Sequence, residues 1–493
     1  MLMSVESAVN RLEKAPAPDL SMCVRALAEN PGNADLIVAL GNRLLEQGNF
    51  AAAAANFRKA LLITPGHEAA QVSLHWALQG QTGSAHAAVT AYRTLLERRR
   101  ILRRDLAQTL LELGWAGESF RQWQAVLQSD PASVAWIHDT ATDAMEKGDL
   151  ARAAELAAID TGLRLGSQWY PPGRDPDIPV IQLRSVALTL TIPKLRHDVE
   201  QFAYLQQRGI LGTEFNPIIA EYERVIGRLE KLGPEPNEPL ADEEQRSIGH
   251  VYNRIVHVRE TPRVPHALSA RWDPRSVESE YFGHPPGLAI VDNFLSEEAV
   301  HSLRLFCLES TIWSANHYRH GRLGSFFRDG FNCPLLIQIA EELREVLPRL
   351  IGRRHPLRQL WGFKYGTTLP GRSTHADFAA VNVNFWITPE SANLDPESGG
   401  LFVYNVEAPP EWDFDTYNRR SDVINAFLEG QNATAVNIPY RANRAIIFNS
   451  DLFHSTAGME FRPGYENRRV NITFLYGDRK APADGVGDVG TGS

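Results

Sequence analysis

The chain has 493 residues and 55.0 kDa, enough for two to four domains with full cores, and its 43% apolar and 22% charged content excludes disorder throughout. Lys and Arg number 50 against 59 Asp and Glu, and the resulting charge of −9 argues against a dedicated nucleic-acid binder. Three scattered cysteines, Cys23, Cys307 and Cys333, exclude a disulfide framework and point to a reducing, cytoplasmic setting. The opening Met1-Leu2-Met3-Ser4-Val5-Glu6 lacks the pattern of a secretion signal. Apolar runs such as Val186-Ala187-Leu188-Thr189-Leu190 fall far short of the roughly 18 residues of a membrane span, so no membrane partner is expected.

After a flexible start over 1–19, the segment 20–166 reads as helical repeats. Leu40-Gly41, Gly48, Ala53, Phe57, Ala60 and Pro65 place small residues where two helices approach, large ones in the gap, and a proline where the second helix ends. Ala26 and Pro31 precede Ala60 and Pro65 by one period. Weaker copies run through Leu74, Gly83, Ala88 and Tyr92, then Leu106, Gly114, Trp123, Val126 and Pro131, and finally Gly148 and Ala153. These offsets resemble the tetratricopeptide repeat and imply an all-α solenoid that recruits a protein or peptide, or else makes a homodimer or braces the neighbouring domain. The basic run Arg98-Arg99-Arg100 with Arg103-Arg104 reads as a solvated helix face.

The segment 167–285 opens on a turn-rich break at Tyr170–Pro176 and is expected to be mostly helical and connecting. Two amphipathic patterns lie at 192–208 and 215–232, and a proline-rich loop at 233–239 ends the second.

From 286 the pattern changes. Leu288-Ala289-Ile290-Val291-Asp292 predicts a strand, and Ser296-Glu297-Glu298 predicts the start of a helix. Beyond Trp361, short alternating segments between Gly, Pro and Asn clusters predict an antiparallel sandwich or jelly roll. His375-Ala376-Asp377 on an extended segment turns both flanking side chains the same way. A second histidine on a neighbouring strand, His454, completes two imidazoles and a carboxylate, a set suited to non-haem Fe(II) with open coordination positions. By itself an H-x-D with a later histidine is weak in a chain holding 15 histidines.

The order of the surrounding segments is more telling. Ile290–Ser296, Trp361–Tyr365, Ala380–Ile387, Gly399–Val403, Asn443–Phe448 and Arg468–Phe474 follow one another around the motif. Over 286–478 the chain resembles the Fe(II)- and 2-oxoglutarate-dependent dioxygenases, especially the prolyl-hydroxylase-like branch. That resemblance implies an α+β double-stranded β-helix with flanking helices, with His375, Asp377 and His454 holding iron. It further implies that 2-oxoglutarate and O2 are consumed, giving succinate and CO2, while an unactivated C–H bond is hydroxylated. The carboxylate at Asp377 favours hydroxylation over halogenation. Arg469 matches the arginine that grips the distal carboxylate of 2-oxoglutarate, Tyr365 a tyrosine that hydrogen-bonds it, and Asn384 and Trp386 are candidate pocket walls; Arg468 reads as an outer-face residue and Arg444 as structural.

The alternation of Arg469, Asn471 and Thr473 with Val470, Ile472 and Phe474, and of Asn382, Asn384 and Trp386 with Val381, Val383 and Phe385, predicts a polar interior and an apolar exterior packed on helices. Asp377 and His454 stand 77 positions apart, longer than is usual for the branch. The excess at 407–437 is expected to form a lid or substrate-selecting insertion. Gly485–Gly490 spells a G-x-G-x-x-G in a glycine-rich tail, 479–493, read as disordered. Two other readings stay open: a catalytically silent jelly roll in a repeat-based scaffold, and a cupin-type metalloenzyme that does not use 2-oxoglutarate. The substrate, protein or small molecule, is not legible.

Overall fold

A computed structural model of the protein describes residues 30–67, 103–111, 116–129, 133–170, 189–233, 236–318, 321–369 and 374–479, with isolated positions between 24 and 77. Most of the second repeat copy, Arg98-Arg99-Arg100, the break at 171–176 and the glycine-rich tail lie outside the described residues. The chain divides into two compact units, Met1–Pro131 and Ala132–Ser493.

In the first unit, α1 (Ala34–Glu46) and α2 (Phe50–Ile63) form a helical hairpin, and α3 (Ala116–Ser129) follows. Each hairpin helix begins at an asparagine: Asn33 accepts from the Leu36 amide and Asn49 from the Ala52 amide, both at 3.2 Å. The pair closes because Gly41 has no Cβ; one built there would stand 2.6 Å from the Phe57 ring. Ile37, Ala53, Phe57 and Ala60 form the buried seam.

The second unit begins with another hairpin, α4 (Ser133–Glu146) and α5 (Leu150–Leu165). Its apolar face, with Met145, Leu150, Ala153 and Ala157, shares one continuous core with the strands that follow. Arg164 fastens it: Nε meets Asp160 at 2.9 Å, and Nη2 meets Asp329 at 3.0 Å and the Arg328 carbonyl at 2.6 Å. Asp160 is 2% exposed and its carboxyl is raised from its ordinary value, because burial outweighs the attraction of Arg164. Asp160→Ala should therefore leave a half-paired buried guanidinium. The expected loss is ~3 kcal/mol, the low end for breaking a buried pair because Asp329 remains, read from the urea midpoint at constant m.

Two helices, α6 (Ile192–Gln207) and α7 (Asn216–Leu229), form where the amphipathic patterns lie, with Leu195, Phe202, Leu205, Tyr222 and Val225 in their shared core. Ser296 caps α8 (Glu297–Glu309), accepting from the Ala299 amide at 3.2 Å, and α9 (Pro334–Val346) starts on a proline.

Beyond a short pair at Thr189–Leu190 and Glu238–Pro239, the strands from residue 286 onward are β1 (Leu288–Val291), β2 (Leu323–Phe326), β3 (Leu357–Lys364), β4 (Thr368–Leu369), β5 (Val381–Trp386), β6 (Leu401–Glu407), β7 (Ala435–Ile438), β8 (Ala445–Asn449), β9 (Leu452–Thr456), β10 (Met459–Glu460) and β11 (Val470–Tyr476). They make a six-stranded antiparallel sheet in the order β1-β8-β5-β11-β3-β2 and a three-stranded sheet in the order β9-β6-β7. The pair β4–β10 forms a sheet of its own and a bridge joins His375 to His454 of β9; the antiparallel sheets with their flanking helices are consistent with a jelly roll. Val383, Phe385, Ile472 and Phe474 pack outward in one core with Leu303 and Phe306 of α8 and Leu336, Ile339 and Leu343 of α9. Helices cover the apolar face, so the polar residues of β5 and β11 are free to face inward.

Candidate active site

The His375–His454 bridge pairs backbone with backbone: each amide donates to the other's carbonyl, at 3.0 and 2.8 Å. The Asp377 amide donates to the Ser450 carbonyl at 3.2 Å. Two segments far apart in sequence are thereby held together, and one ligand atom from each of His375, Asp377 and His454 falls within 4.8 Å of the others. Asp377 lies 3.9 Å from His375 Nε2 and 3.5 Å from His454 Nε2, and the two imidazole centroids are 4.4 Å apart.

His454 Nδ1 donates to the Leu452 carbonyl at 3.0 Å, which orients the ring with Nε2 toward Asp377. Asn382 on β5 donates to Asp377 Oδ2 at 2.8 Å and fixes the carboxylate plane. Burial pushes the Asp377 carboxyl up, but hydrogen bonding and charge from His454, with His375 and Arg322, outweigh it and hold the group below its ordinary value. Asp377 and His454 are buried, while the His375 side chain keeps 25% exposure, so the cluster opens on that side.

Arg469, just before β11, is 1% exposed. Its Nε donates to the Gly399 carbonyl at 2.7 Å, and Nη1 and Nη2 are buried without hydrogen-bond partners. Three aromatic rings wall the guanidinium, Tyr365 at 4.8 Å, Trp386 at 5.4 Å and Tyr440 at 5.9 Å, and burial pulls it below its ordinary value. No carboxylate among the described residues pairs with it.

Tyr365 joins this pocket to the triad. Its phenol is lowered from its ordinary value because the charges of Arg322 and Arg469, with hydrogen bonds from Thr456 and Arg322, outweigh a burial that would raise it. Thr456 stands two residues after His454 on β9, so it shares that histidine's face of the strand.

The floor between the two ends is polar. Trp386 Nε1 donates to Asn471 at 2.8 Å, Asn471 to Thr473 at 3.2 Å, and Asn384 to Thr473 at 3.0 Å. The Oδ1 atoms of Asn382 and Asn384 are buried with no hydrogen-bond partner. Asn384 thus serves the ladder of β5 and β11, and Trp386 walls the arginine.

Arg468 points away and meets Glu200 of α6 at 2.8 Å, and Arg444 meets Asp292 at 2.6 Å. Sequence reasoning passed over Arg322, Tyr440, Thr456 and the contact of Asn382 with Asp377. The alternation of β5 already placed Asn382 on the interior face. Arg322 and Tyr440 carry no comparable sequence signal, because their side chains reach the site from elements outside the ligand-bearing motifs.

The donor set fits a divalent iron: two imidazoles and one carboxylate on one side, no thiolate, and an open side at His375. The Arg469 pocket fits a carboxylate, since a desolvated guanidinium with two free donor nitrogens matches its geometry.

No family model matches the chain, and no curated protein matches it. Among solved structures, a prolyl-4-hydroxylase from Pseudomonas putida is 13% identical, covering 42% of this chain and 100% of that one, at a TM-score of 0.29. The non-haem α-ketoglutarate-dependent carbocyclase SnoK of nogalamycin biosynthesis is 13% identical over 45% and 92%, at 0.32. HygX from Streptomyces hygroscopicus, solved with nickel, 2-oxoglutarate and hygromycin B bound, is 14% identical over 44% and 93%, at 0.30. At such scores the weight rests on the side chains of the site. No helix among the described residues is long and apolar enough to cross a membrane.

Proposed function

We propose that the protein is an Fe(II)- and 2-oxoglutarate-dependent oxygenase that hydroxylates an unactivated C–H bond. The observation that carries this reading is Arg469, a buried guanidinium with two unpartnered donor nitrogens, linked through Tyr365 and Thr456 to a two-histidine, one-carboxylate cluster. A cupin that does not use 2-oxoglutarate has no need of such an arginine, and a silent scaffold has no need of the cluster.

His375, Asp377 and His454 would hold the iron, which when bound supplies the activation of O2 coupled to oxidative decarboxylation of 2-oxoglutarate. Arg469 binds the distal carboxylate and Tyr365 donates its phenolic proton to the same group. Trp386 and Tyr440 exclude water from that ion pair, which strengthens it. Asn382 holds the Asp377 carboxylate in plane. The exposed side at His375 admits the substrate, and the repeat segment at 20–166 serves to recruit or orient it, or to pair two copies of the chain.

The test is anaerobic loading of the full chain with Fe(II), then addition of O2 and 2-oxoglutarate. Succinate formation above an iron-free control is expected, and a +16 Da product in cell extract would locate the substrate. Folded protein that binds neither iron nor 2-oxoglutarate ends this reading.

A further inference from the structure

Each ligand-bearing segment turns one residue away from the metal cluster: Ala376, between His375 and Asp377, and Phe453, beside His454. Both are fully buried, and what buries them is the insertion. It comprises α10 (Phe414–Arg419) and α11 (Ser421–Gly430), joined to β6 and β7 on either side. Ala408, Tyr417, Ile424 and Leu428 form one cluster with Ala376 and Phe453, and the rings of Trp412 and Phe427 each stand 6.1 Å from that of Phe453.

The polar contacts are more specific than the packing. Segment 375–377 meets the neighbouring chain through the His375 bridge and the Asp377 amide, so the Ala376 peptide groups need partners elsewhere. Its amide donates to the Tyr417 carbonyl at 3.0 Å, and its carbonyl accepts from Asn418 Nδ2 at 2.8 Å. Both partners come from the insertion. Arg479, three residues past the end of β11, fastens the insertion in turn. It pairs with Asp451, donates to the carbonyls of Ala408 and Pro409 at 2.6 Å and Trp412 at 3.0 Å, and lies 4.1 Å from the Tyr417 ring. Asp451 closes the loop, its carbonyl accepting from the Ala408 amide at 2.7 Å.

We infer that the 407–437 insertion is a brace for the metal ligands, with Asn418 and Arg479 as positioning residues that set the spacing of His375, Asp377 and His454. A lid would cover the open side at His375; this insertion grips the Ala376 backbone, whose side chain the alternation turns away from the two ligands beside it. The inference rests on the metal-site reading above and deepens it.

The test uses the full chain, metal-free and anaerobic, titrated with Co(II) and read by its visible ligand-field bands. Wild type is measured first, because folded wild type that binds no Co(II) sinks the metal-site reading and not the brace alone. Given wild-type binding, Asn418→Ala and Arg479→Lys should each weaken Co(II) by about 10-fold, the lower range for losing a group that orients a ligand, and should shift the bands. Asn418→Gln, which keeps the amide donor, should recover part of the affinity. At saturating metal the KM for 2-oxoglutarate should stay at the wild-type value, since neither residue reaches Arg469. If Asn418→Ala does not fold, Arg479→Lys and Asn418→Gln carry the comparison. Wild-type Co(II) affinity and bands in the folded variants, with altered turnover or product profile, would make the insertion a lid and overturn the brace.

Discussion

Arg469→Leu is expected to raise the KM for 2-oxoglutarate several-hundredfold while leaving the affinity for Co(II) or Fe(II) within about twofold of wild type. The magnitude follows from the pocket. Nη1 and Nη2 are both buried without hydrogen-bond partners, and each hydrogen bond to a charged group contributes ~1.5–3 kcal/mol, so the loss of two gives ~3–4 kcal/mol after partial compensation by water. A second readout separates this role from a structural one. A desolvated cation without a counter-ion destabilises the ligand-free protein, so the Leu variant should melt no lower than wild type when 2-oxoglutarate is absent. Wild-type protein should gain thermal stability on adding 2-oxoglutarate, and the variant should lose that gain. Arg469→Lys keeps the charge but not the planar fork, and should fall between the two.

Asp377→Ala should abolish metal binding at micromolar concentrations, a loss of at least ~100-fold against the ~10–100-fold typical of groups that only orient a ligand. The carboxylate is the one anionic member of the cluster, so its removal takes away both a donor atom and the charge that draws the cation. The loss also strands the Asn382 amide, which donates to Asp377. Calorimetric titration with Co(II) measures this directly, and succinate formation should fall to the metal-free background. A variant that keeps wild-type metal affinity would remove Asp377 from the ligand set.

The site was readable in sequence to the extent that it lies on regular alternation. On β5 and β11, Asn382, Asn384, Trp386, Asn471 and Thr473 had to share one face, and the hydrogen bonds between them follow from register, with Thr473 opposite Asn384 and Asn471 opposite Trp386. Arg469 could be chosen over Arg468 on the same phase argument, and Glu200 holds Arg468 outside. Arg322 and Tyr440 were not legible because they enter from outside the ligand-bearing strands, and only closure of the sheets brings them to Tyr365 and Arg469; Thr456 shares the face of His454 by alternation. The brace was hidden for a different reason. A helical stretch near Ser421–Leu428 is legible in the sequence, but the helix at Phe414–Arg419 and the backbone that both grip are tertiary facts that no local pattern records. The hairpin 133–165 illustrates the same limit: its small residues follow the repeat pattern, while its apolar face is spent on the jelly-roll core.

Lys364 and Tyr365 are sequence neighbours that leave the end of β3 in opposite directions. Tyr365 faces the arginine pocket, whereas the Lys364 amine, 1% exposed, meets the Cys307 carbonyl at 2.8 Å and the Tyr465 hydroxyl at 2.9 Å beneath the Trp313 ring. Helix α6 roofs that chamber: Gln201 bonds the carbonyls of Leu308 and Ser310, and His197 and Tyr204 pack on the Tyr465 ring. A jelly roll without α6 would leave the Lys364 side chain without that roof, one residue from Tyr365. The helices at 192–229 and the strands therefore form one structural block, in which a change at the α6 roof reaches Tyr365 through its neighbour Lys364.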